Sequence, residues 1–336
     1  MKKPVLVKNL LSFAGILFFL VCLTSCNKKD YNLLDPESAG VWTYFKAGTA
    51  GLPNAHIWDI ERDSDNLWVS FMGSGVGVYN NGSWIYYNSS NSGILNDYIY
   101  DLELTPAGDM LMGTGDGICE RTASGQWLSY QDPSVTLMQV QVVKYTSTGD
   151  IWLGTEGAGF YVDFGSGFNH YKYTGYENVN AIEEDNKGNV WVGTDNGLLK
   201  YDGISLNLAY TTDDGLPGNK VSTLFFDSNN KLWVGTDGTE TVSWITTSGN
   251  IHQLSLRNGG ANYIMDIYED RKGDLWFATW VDGVIKYDGV LPYSFKEYNG
   301  FYENYVNCIR EDNKGNIWFG LWSKGLVKYT LPIDKN

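Results

Sequence analysis

A small set of aromatic and apolar residues interrupts an otherwise regular pattern, and these residues are suited to binding a ligand. The pattern is marked by a recurrent anchor residue at Trp68, Leu111, Trp152, Trp191, Trp233, Trp276 and Trp318. Four positions after the anchor, four copies carry Gly, Asp or Glu, whereas the other three carry Trp280, Trp322 and Met72. One position earlier, Phe71 and Leu321 replace the threonine of the other five copies. Aromatic and apolar clusters of this kind mark binding surfaces.

A second set of candidate binding residues precedes each anchor by ten or eleven positions. Trp58 and Tyr100 stand there, the acids Asp59 and Asp101 follow them directly, and Asp266 takes the acidic position in the sixth copy. An aromatic ring stacks on the C–H face of a sugar, while carboxylates accept hydrogen bonds from its hydroxyl groups. The same surface suits an apolar or peptide ligand. The alternative is that these side chains fill the centre of the fold or pack between repeats.

The acids allow two further kinds of chemistry. Two carboxylates at a suitable separation act as acid and base in a glycoside hydrolase, and a polysaccharide lyase could use them similarly. Oxygen ligands from Asp59, Asp101 and Asp266 could instead hold Ca²⁺. The sequence shows no nucleophile–base pair or histidine-rich metal spacing, because its three histidines lie in separate copies. We therefore expect a non-catalytic protein without a cofactor, and we keep calcium and an enzyme as alternatives.

The residues around each first strand are expected at one of two faces. The linkers that precede the first strands should approach the same rim as the candidate residues, through His56, Tyr98, Tyr263 and Tyr305. The first turns follow these strands and should lie at the opposite end. We therefore place three arginines at or near that opposite side, namely Arg62, Arg271 and Arg310.

A unit of 39 to 43 residues, repeated seven times, must position these residues. In the fourth copy, an apolar first strand at 179–182 leads through a turn to a second strand at 190–194 and a third at 198–201. The turn contains Asp and Gly, which accept backbone hydrogen bonds and adopt positive φ respectively. A more polar and aromatic fourth strand follows, as at 84–87. The repetition predicts an all-β fold, a seven-bladed β-propeller of four-stranded blades.

The two ends of the repeat region complement one another. The last copy stops at 328–330 after a third strand, and the segment 40–45 before the first copy matches the fourth strand at 82–87. We therefore expect the N-terminal segment to supply the outer strand of blade seven and to close the ring, which leaves only short protected edges. The predicted propeller spans residues 40–332, and residues 333–336 form a short tail.

The best-preserved copies resemble a known repeat. Residues 184–193 and 311–320 read Glu-Asp-Asn-Lys-Gly-Asn-(Val/Ile)-Trp-(Val/Phe)-Gly, and Gly-Leu-x-Lys-Tyr follows each. With the linkers at 51–54 and 215–219, this motif resembles the two-component-regulator propeller repeat of Bacteroidota. The resemblance implies a periplasmic sensor-type propeller that responds to glycans, as in hybrid histidine kinases. Because no transmembrane helix, kinase or immunoglobulin-like module follows here, we expect a stand-alone binding protein that does not signal by itself.

The first 25 residues have the layout of a lipoprotein signal peptide. Three lysines precede an apolar stretch from about residue 10 to residue 23, which is short for a transmembrane helix. Leu23–Cys26 resembles a lipobox, so we predict a signal peptide at 1–25, lipidation of Cys26 and a tether at 26–39. Acyl chains anchor a protein without spanning the bilayer. Asn27 after the cysteine favours the outer membrane, by resemblance to known lipoproteins.

The charge and cysteine content narrow the classes of partner. The formal net charge is −15, with 39 acidic and 24 basic residues, which argues against nucleic acid because phosphate binding needs clustered Lys and Arg. Cys119 and Cys308 lie in different copies and are expected as buried thiols rather than as a disulfide.

We expect a lipid-anchored protein that binds a glycan or a partner protein on the face of blades six, seven and one. The alternatives are an enzyme that uses the axial carboxylates and a scaffold within an envelope complex.

Overall fold

The computed structural model describes residues 40–48, 51–130, 138–238, 241–256, 263–297 and 301–331. The predicted signal peptide, Cys26, the tether and the tail lie outside these residues. Within the described ranges, no helix is both long enough and apolar enough to cross a membrane.

The chain enters the fold through β1 (Val41–Phe45), which pairs only with the end of the chain. Blade one consists of β2 (Ile57–Asp63), β3 (Asn66–Phe71), β4 (Gly75–Asn80) and β5 (Ser83–Tyr87). Blade two consists of β6 (Ile99–Leu104), β7 (Met110–Thr114), β8 (Gly117–Arg121) and β9 (Trp127–Ser129). Blade three consists of β10 (Val140–Tyr145), β11 (Ile151–Thr155), β12 (Phe160–Asp163) and β13 (Phe168–Tyr171).

The second half of the ring repeats this order. Blade four consists of β14 (Val179–Glu184), β15 (Val190–Thr194), β16 (Gly197–Tyr201) and β17 (Leu206–Tyr210), and a short 3₁₀ helix follows at Thr212–Asp214. Blade five consists of β18 (Val221–Phe226), β19 (Leu232–Thr236), β20 (Thr241–Ile245) and β21 (Ile251–Ser255). Blade six consists of β22 (Ile264–Glu269), β23 (Leu275–Thr279), β24 (Val284–Tyr287) and β25 (Pro292–Phe295). Blade seven consists of β26 (Val306–Glu311), β27 (Asn316–Leu321), β28 (Leu326–Thr330) and β1.

The seven antiparallel sheets are arranged as a closed ring. The innermost strand of each blade packs against the innermost strand of the next, and β26 of blade seven packs against β2 of blade one. The prediction of a seven-bladed propeller with four strands per blade is therefore confirmed.

The ring is closed as the two chain ends predicted. Strand β1 pairs antiparallel with β28, and Trp42 lies opposite Tyr329. The Trp42 ring is 4.3 Å from the ring of Tyr329 and 5.2 Å from that of Phe301, measured between centroids. The outer strand of blade seven is thus held by an aromatic cluster as well as by the strand ladder.

The hydrophobic core lies between neighbouring blades. Each second strand is sandwiched there, and every residue of β15 is buried. Trp191 of this strand packs with Val221 and Leu224 of the next blade. Gly193 faces the same neighbour, and a Cβ at this position would stand 2.6 Å from Val221 Cγ1. A glycine is therefore required at this position of blade four. Cys119 and Cys308 are buried free thiols in this core, as expected.

In blades four to seven an aspartate holds both the first turn and the anchor indole. In blade six, Asp270 Oδ1 accepts the backbone N–H groups of Lys272 and Asp274 at 2.9 and 3.0 Å. Its other oxygen accepts the indole N–H of Trp276 at 2.8 Å. The same indole bond is made by Asp185, Asp227 and Asp312. In blade three a threonine, Thr146, replaces the aspartate, and the indole nitrogen of Trp152 is buried without a partner among the described residues.

We expect Thr146→Asp to raise the free energy of unfolding by about 1 kcal/mol, because the new carboxylate would accept the unpaired N–H of Trp152. Urea denaturation measures this change. The matched control is Thr105→Asp in blade two, where the anchor is Leu111 and offers no indole N–H. Equal effects of the two substitutions would contradict this account of the buried indole.

Candidate functional site

A bulge near the start of each inner strand turns two successive side chains towards the axis. In β14 the pairing register shifts between Val179 and Ala181, and equivalent shifts occur in the other six inner strands. Successive side chains of a regular strand point to opposite faces, but a bulge re-aims them. Both Asn180 and Ala181 therefore line the axial cavity. This local geometry explains why an aromatic residue and the acid that follows it can serve one site.

The inner strands of all seven blades enclose a cavity of about 560 Å³ along the axis. Seven of the predicted site residues line it, namely Trp58, Asp59, Tyr100, Asp101, Asp266, Trp280 and Trp322. Residues that lie as far apart in the chain as positions 58 and 322 thus line the same cavity.

Five aromatic rings form a continuous arc across blades six, seven, one and two, and four of them line this cavity. We call these residues the aromatic arc: Tyr305, Trp280, Trp322, Trp58 and Tyr100. Trp280 contacts Tyr305 at 5.4 Å and Trp322 at 4.8 Å, both edge to face. Trp58 lies 5.9 Å from Trp322 and 5.4 Å from Tyr100. Such contacts fix the orientation of each ring, and every member of the arc remains partly exposed.

The linkers between blades hold the aromatic loops in place. The backbone N–H of Trp280 donates to the carbonyl oxygen of Tyr263 at 3.0 Å, and that of Trp322 donates to the carbonyl oxygen of Tyr305 at 3.1 Å. Tyr263 itself lines the cavity, and the ring of His56 lies 5.2 Å from that of Trp322. These linker residues thus lie at the rim where the sequence placed them.

Two predicted site residues are not part of the cavity. Phe71 is fully buried with 0% of its surface exposed, and it packs against Trp84 and Tyr86 within blade one. Its inclusion in the binding surface was wrong, because this repeat position is a core position: the threonine found there in blade four, Thr194, is equally buried. Met72 is half-buried and does not line the cavity. A role for Met72 in binding stays a prediction.

The three axial aspartates join neighbouring blades. Asp59 accepts the backbone N–H of Leu102 at 3.0 Å, across the boundary between blades one and two. Asp101 accepts that of Val143 at 2.6 Å in blade three. In the same way, Asp266 accepts the N–H of Ile309 at 2.8 Å in blade seven. We call these three bonds the interblade latches. They give the acids a structural role that the sequence did not suggest.

Arg310 lies in the cavity and not at or near the opposite side, so its predicted placement was wrong. Its guanidinium is 3.0 Å from Asp266, 3.2 Å from Glu61 and 3.8 Å from Asp59. Two residues beyond the acid position, β26 points inward again, which brings this long side chain to the axis. Arg310 therefore places a positive charge beside Asp59 and Asp266, two of the three acids that were considered as calcium ligands. Among the described residues, no group of three or more His, Cys, Asp or Glu has a metal-holding arrangement.

A second cation, Lys144, forms ion pairs on the other side of the axis. Lys144 lies 3.5 Å from Glu103 and 3.1 Å from Glu183. Lys144 and Arg310 belong to a ring of inner-strand residues that follow the acid position by two, made of Glu61, Glu103, Lys144, Glu183, Phe225, Tyr268 and Arg310. A comparison of the copies by distance from the anchor residue, which identified the acids, would also have identified this ring, because opposite charges occur on adjacent blades.

Burial makes the axial carboxyl groups weak acids. It raises the pKa of Asp59 to about 7, although Arg310 acts in the opposite direction. Burial also raises the pKa of Asp101 well above its usual range, and the negative charge of Asp59 adds to this shift. The pKa of Asp266 is raised by burial as well, against the effect of Arg310. Near neutral pH the Asp59 carboxyl group can therefore donate as well as accept hydrogen bonds.

Comparison with known proteins agrees with this architecture. Residues 175–196, 215–238, 258–281 and 303–323 match the family described as two component regulator propeller. The extracellular domain of a hybrid two component system from B. thetaiotaomicron is 22% identical, with a TM-score of 0.74 over 87% of this chain and 41% of that one. The chain thus spans about two fifths of that sensor's length. No curated protein matches the chain.

The same fold occurs in enzymes. A streptogramin B lyase is 15% identical, with a TM-score of 0.72 over 88% of this chain and 99% of that one. A virginiamycin B lyase from Staphylococcus aureus, solved with quinupristin, is 15% identical with a TM-score of 0.71 over 87% and 99% of the two chains. At these identities the likeness concerns the fold alone. Four repeats of the chain thus match the two component regulator propeller family, and the chain itself is a seven-bladed propeller.

Proposed function

We propose that this protein is a non-catalytic, lipid-anchored binding protein that takes a glycan at the axial cavity, on the side of blades six, seven and one. The aromatic arc beside the axial carboxyl groups is the observation that carries this proposal. Its rings offer flat apolar faces for the C–H surface of a sugar, and the carboxyl groups can exchange hydrogen bonds with hydroxyls. The volume of about 560 Å³ is typical of a pocket for a small ligand.

The surrounding structure supports recognition by a preformed site. The interblade latches tie blade one to blade two, blade two to blade three, and blade six to blade seven at the level of the acids. A site of this kind loses little conformational entropy on binding. A concave cavity lined by inner strands favours a small ligand over the broad surface of a partner protein. The similarity to an extracellular sensor domain is consistent with ligand recognition outside the cell.

We expect Trp280→Ala combined with Trp322→Ala to weaken glycan binding roughly 10- to 100-fold, because two partly exposed stacking surfaces are lost. A glycan panel identifies a binder, and isothermal titration calorimetry then compares the variants. The melting temperature should change little. The matched control is Asp237→Ala, at the same repeat position in blade five, which should bind like the wild type.

Three results would contradict this proposal. A large loss of stability in the double variant would show that the two tryptophans are core residues. Capture of a protein partner in place of any glycan would favour the scaffold alternative. Release of sugars from a polysaccharide, stopped by Asp59→Asn or Asp101→Asn, would show that the protein is an enzyme.

The lipid anchor has its own test. We expect Cys26→Ala to prevent labelling by a fatty acid analogue and to move the protein from the membrane fraction to the soluble fraction, because the acyl chains would be its hold on the membrane. Cys22→Ala, inside the predicted signal peptide, is the control and should leave labelling unchanged. Fatty acid label that persists on the Cys26 variant would rule out this cysteine as the anchor.

A further inference from the structure

One axial acid lacks the cationic partner that the others have. Arg310 forms ion pairs with Asp59, Glu61 and Asp266. Lys144 forms ion pairs with Glu103 and Glu183. Asp101 has no Lys or Arg within 4 Å among the residues that the structure describes, although its carboxyl group lines the cavity. One of its oxygens accepts the backbone N–H of Val143. The other makes no hydrogen bond to a described residue and is free for a ligand.

Two aromatic residues line the same cavity as this unpaired carboxyl group. Tyr100 precedes Asp101 in β6, and the bulge brings both side chains to the cavity. The ring of Trp58 lies 5.4 Å from that of Tyr100. Aromatic faces attract ammonium groups, most strongly where water is excluded. An organic cation would therefore find a carboxylate and aromatic walls together.

The cavity lining holds more acidic than basic groups, and these acids attract a cation when they ionise. The lining carries the acids Asp59, Asp101, Glu183 and Asp266 but only one base, Arg310. Since the described residues offer no metal-holding group, an organic ammonium ion fits better than a metal ion.

We propose that the glycan carries a free amine, and that its ammonium group pairs with Asp101 beside Trp58 and Tyr100. The inference rests on the proposed function and names the class of sugar, an amino sugar that is not N-acetylated. The ammonium group pairs with the ionised form of Asp101, and any proton that this carboxyl group holds is released to solvent on binding. The charged groups around Asp101 are Asp59 of blade one, Glu103 of its own strand, Lys144 of blade three and Arg310 of blade seven.

Three β-1,4-linked trimers that differ at carbon two test the inference, namely those of glucosamine, N-acetylglucosamine and glucose. Calorimetry at pH 7 should show the glucosamine trimer binding roughly tenfold or more tightly than the other two, the gain expected of a partly desolvated cation beside aromatic rings and a carboxylate. Asp101→Asn should remove this preference. Asparagine keeps an oxygen for the N–H of Val143, so the latch and the fold should persist. The control Asp237→Asn should retain the preference.

A smaller probe makes the test independent of sugar linkage. Methylammonium chloride, compared with sodium chloride at equal ionic strength, should produce a saturable change in tryptophan fluorescence in the wild type and none in Asp101→Asn. If there is no saturable response and no preference for the amine, the inference is overturned. If the neutral trimers bind equally well and the Trp280 and Trp322 double variant weakens them, the proposed glycan site stands and only the amine is excluded. If that variant weakens no glycan, the proposed function itself fails.

Discussion

Replacing Arg310 with methionine is expected to lower the free energy of unfolding by about 3 kcal/mol at pH 8, because buried carboxylates lose their counter-ion. The guanidinium lies within 4 Å of three acids, Asp59, Glu61 and Asp266. Since 24% of its side chain remains exposed to the cavity, the cost should fall at the lower end of the range for buried ion pairs. Methionine preserves most of the apolar volume, so the loss reports mainly on charge.

The cost of this substitution should depend on pH. The pKa of Asp59 is about 7 in the folded protein against 3.8 for an ordinary aspartate. Between these values the folded state holds a proton that the unfolded state has lost, so this group makes stability fall as the pH rises. Without Arg310 the pKa of Asp59 and that of Asp266 rise further. The pH range over which stability falls therefore extends to higher pH. The variant should therefore lose less stability at pH 5, where Asp59 is largely protonated.

Urea denaturation at pH 5 and pH 8 measures both effects. Arg62→Met is the matched control, because Arg62 is exposed and its loss should change stability by less than about 0.5 kcal/mol. If the two variants lose equal stability, or if the Arg310 variant behaves identically at the two pH values, Arg310 does not neutralise the axial acids.

Removing the Trp42 side chain should lower the free energy of unfolding by about 3 kcal/mol, since a large aromatic group leaves a packed cluster. In Trp42→Ala the lost contacts include Tyr329 at 4.3 Å in the neighbouring strand and Phe295 at 5.4 Å in blade six. Strand β1 is joined to its blade by no hairpin, so side-chain packing and the ladder with β28 hold it. Release of β1 opens the ring at the boundary of blades seven and one, because β1 lies in the sheet of blade seven and leads into β2 of blade one.

Trp84→Ala is the control for ring closure. Trp84 stands at the equivalent position in β5, whose hairpin to β4 keeps the strand in place covalently. Its replacement should cost less than that of Trp42 and should leave hydrogen exchange in blade seven unchanged. In Trp42→Ala, amide protons of β1 and β28 should exchange faster. A similar cost for both variants, with no change in exchange at β28, would mean that β1 does not control the closure.

The fold was predictable because it rests on local and repeated signals. An anchor such as Trp191, the glycine two residues later and the turn at Asp185–Gly188 recur at nearly fixed spacing, and each copy folds into the same four strands. The closing strand was equally visible, since 40–45 matches 82–87 in sequence. Blade positions that depart from the repeat, Trp280 and Trp322, were found by the same comparison. Phe71 was misplaced because a departure from the repeat does not tell whether its position faces the core or the ligand.

The sequence by itself determined the number of blades, the order of strands, the closure of the ring and the sector where aromatic residues collect. The tertiary structure alone decided what the axial acids touch. The interblade latches join residues about one repeat apart, and the pair of Arg310 with Glu61 spans 249 positions. Such pairs depend on how far each blade is rotated about the axis and on which long side chain can reach across it. Those quantities follow from the packing of whole blades. For that reason Asp101, the one axial acid with no Lys or Arg within 4 Å among the described residues, became visible only in the closed ring.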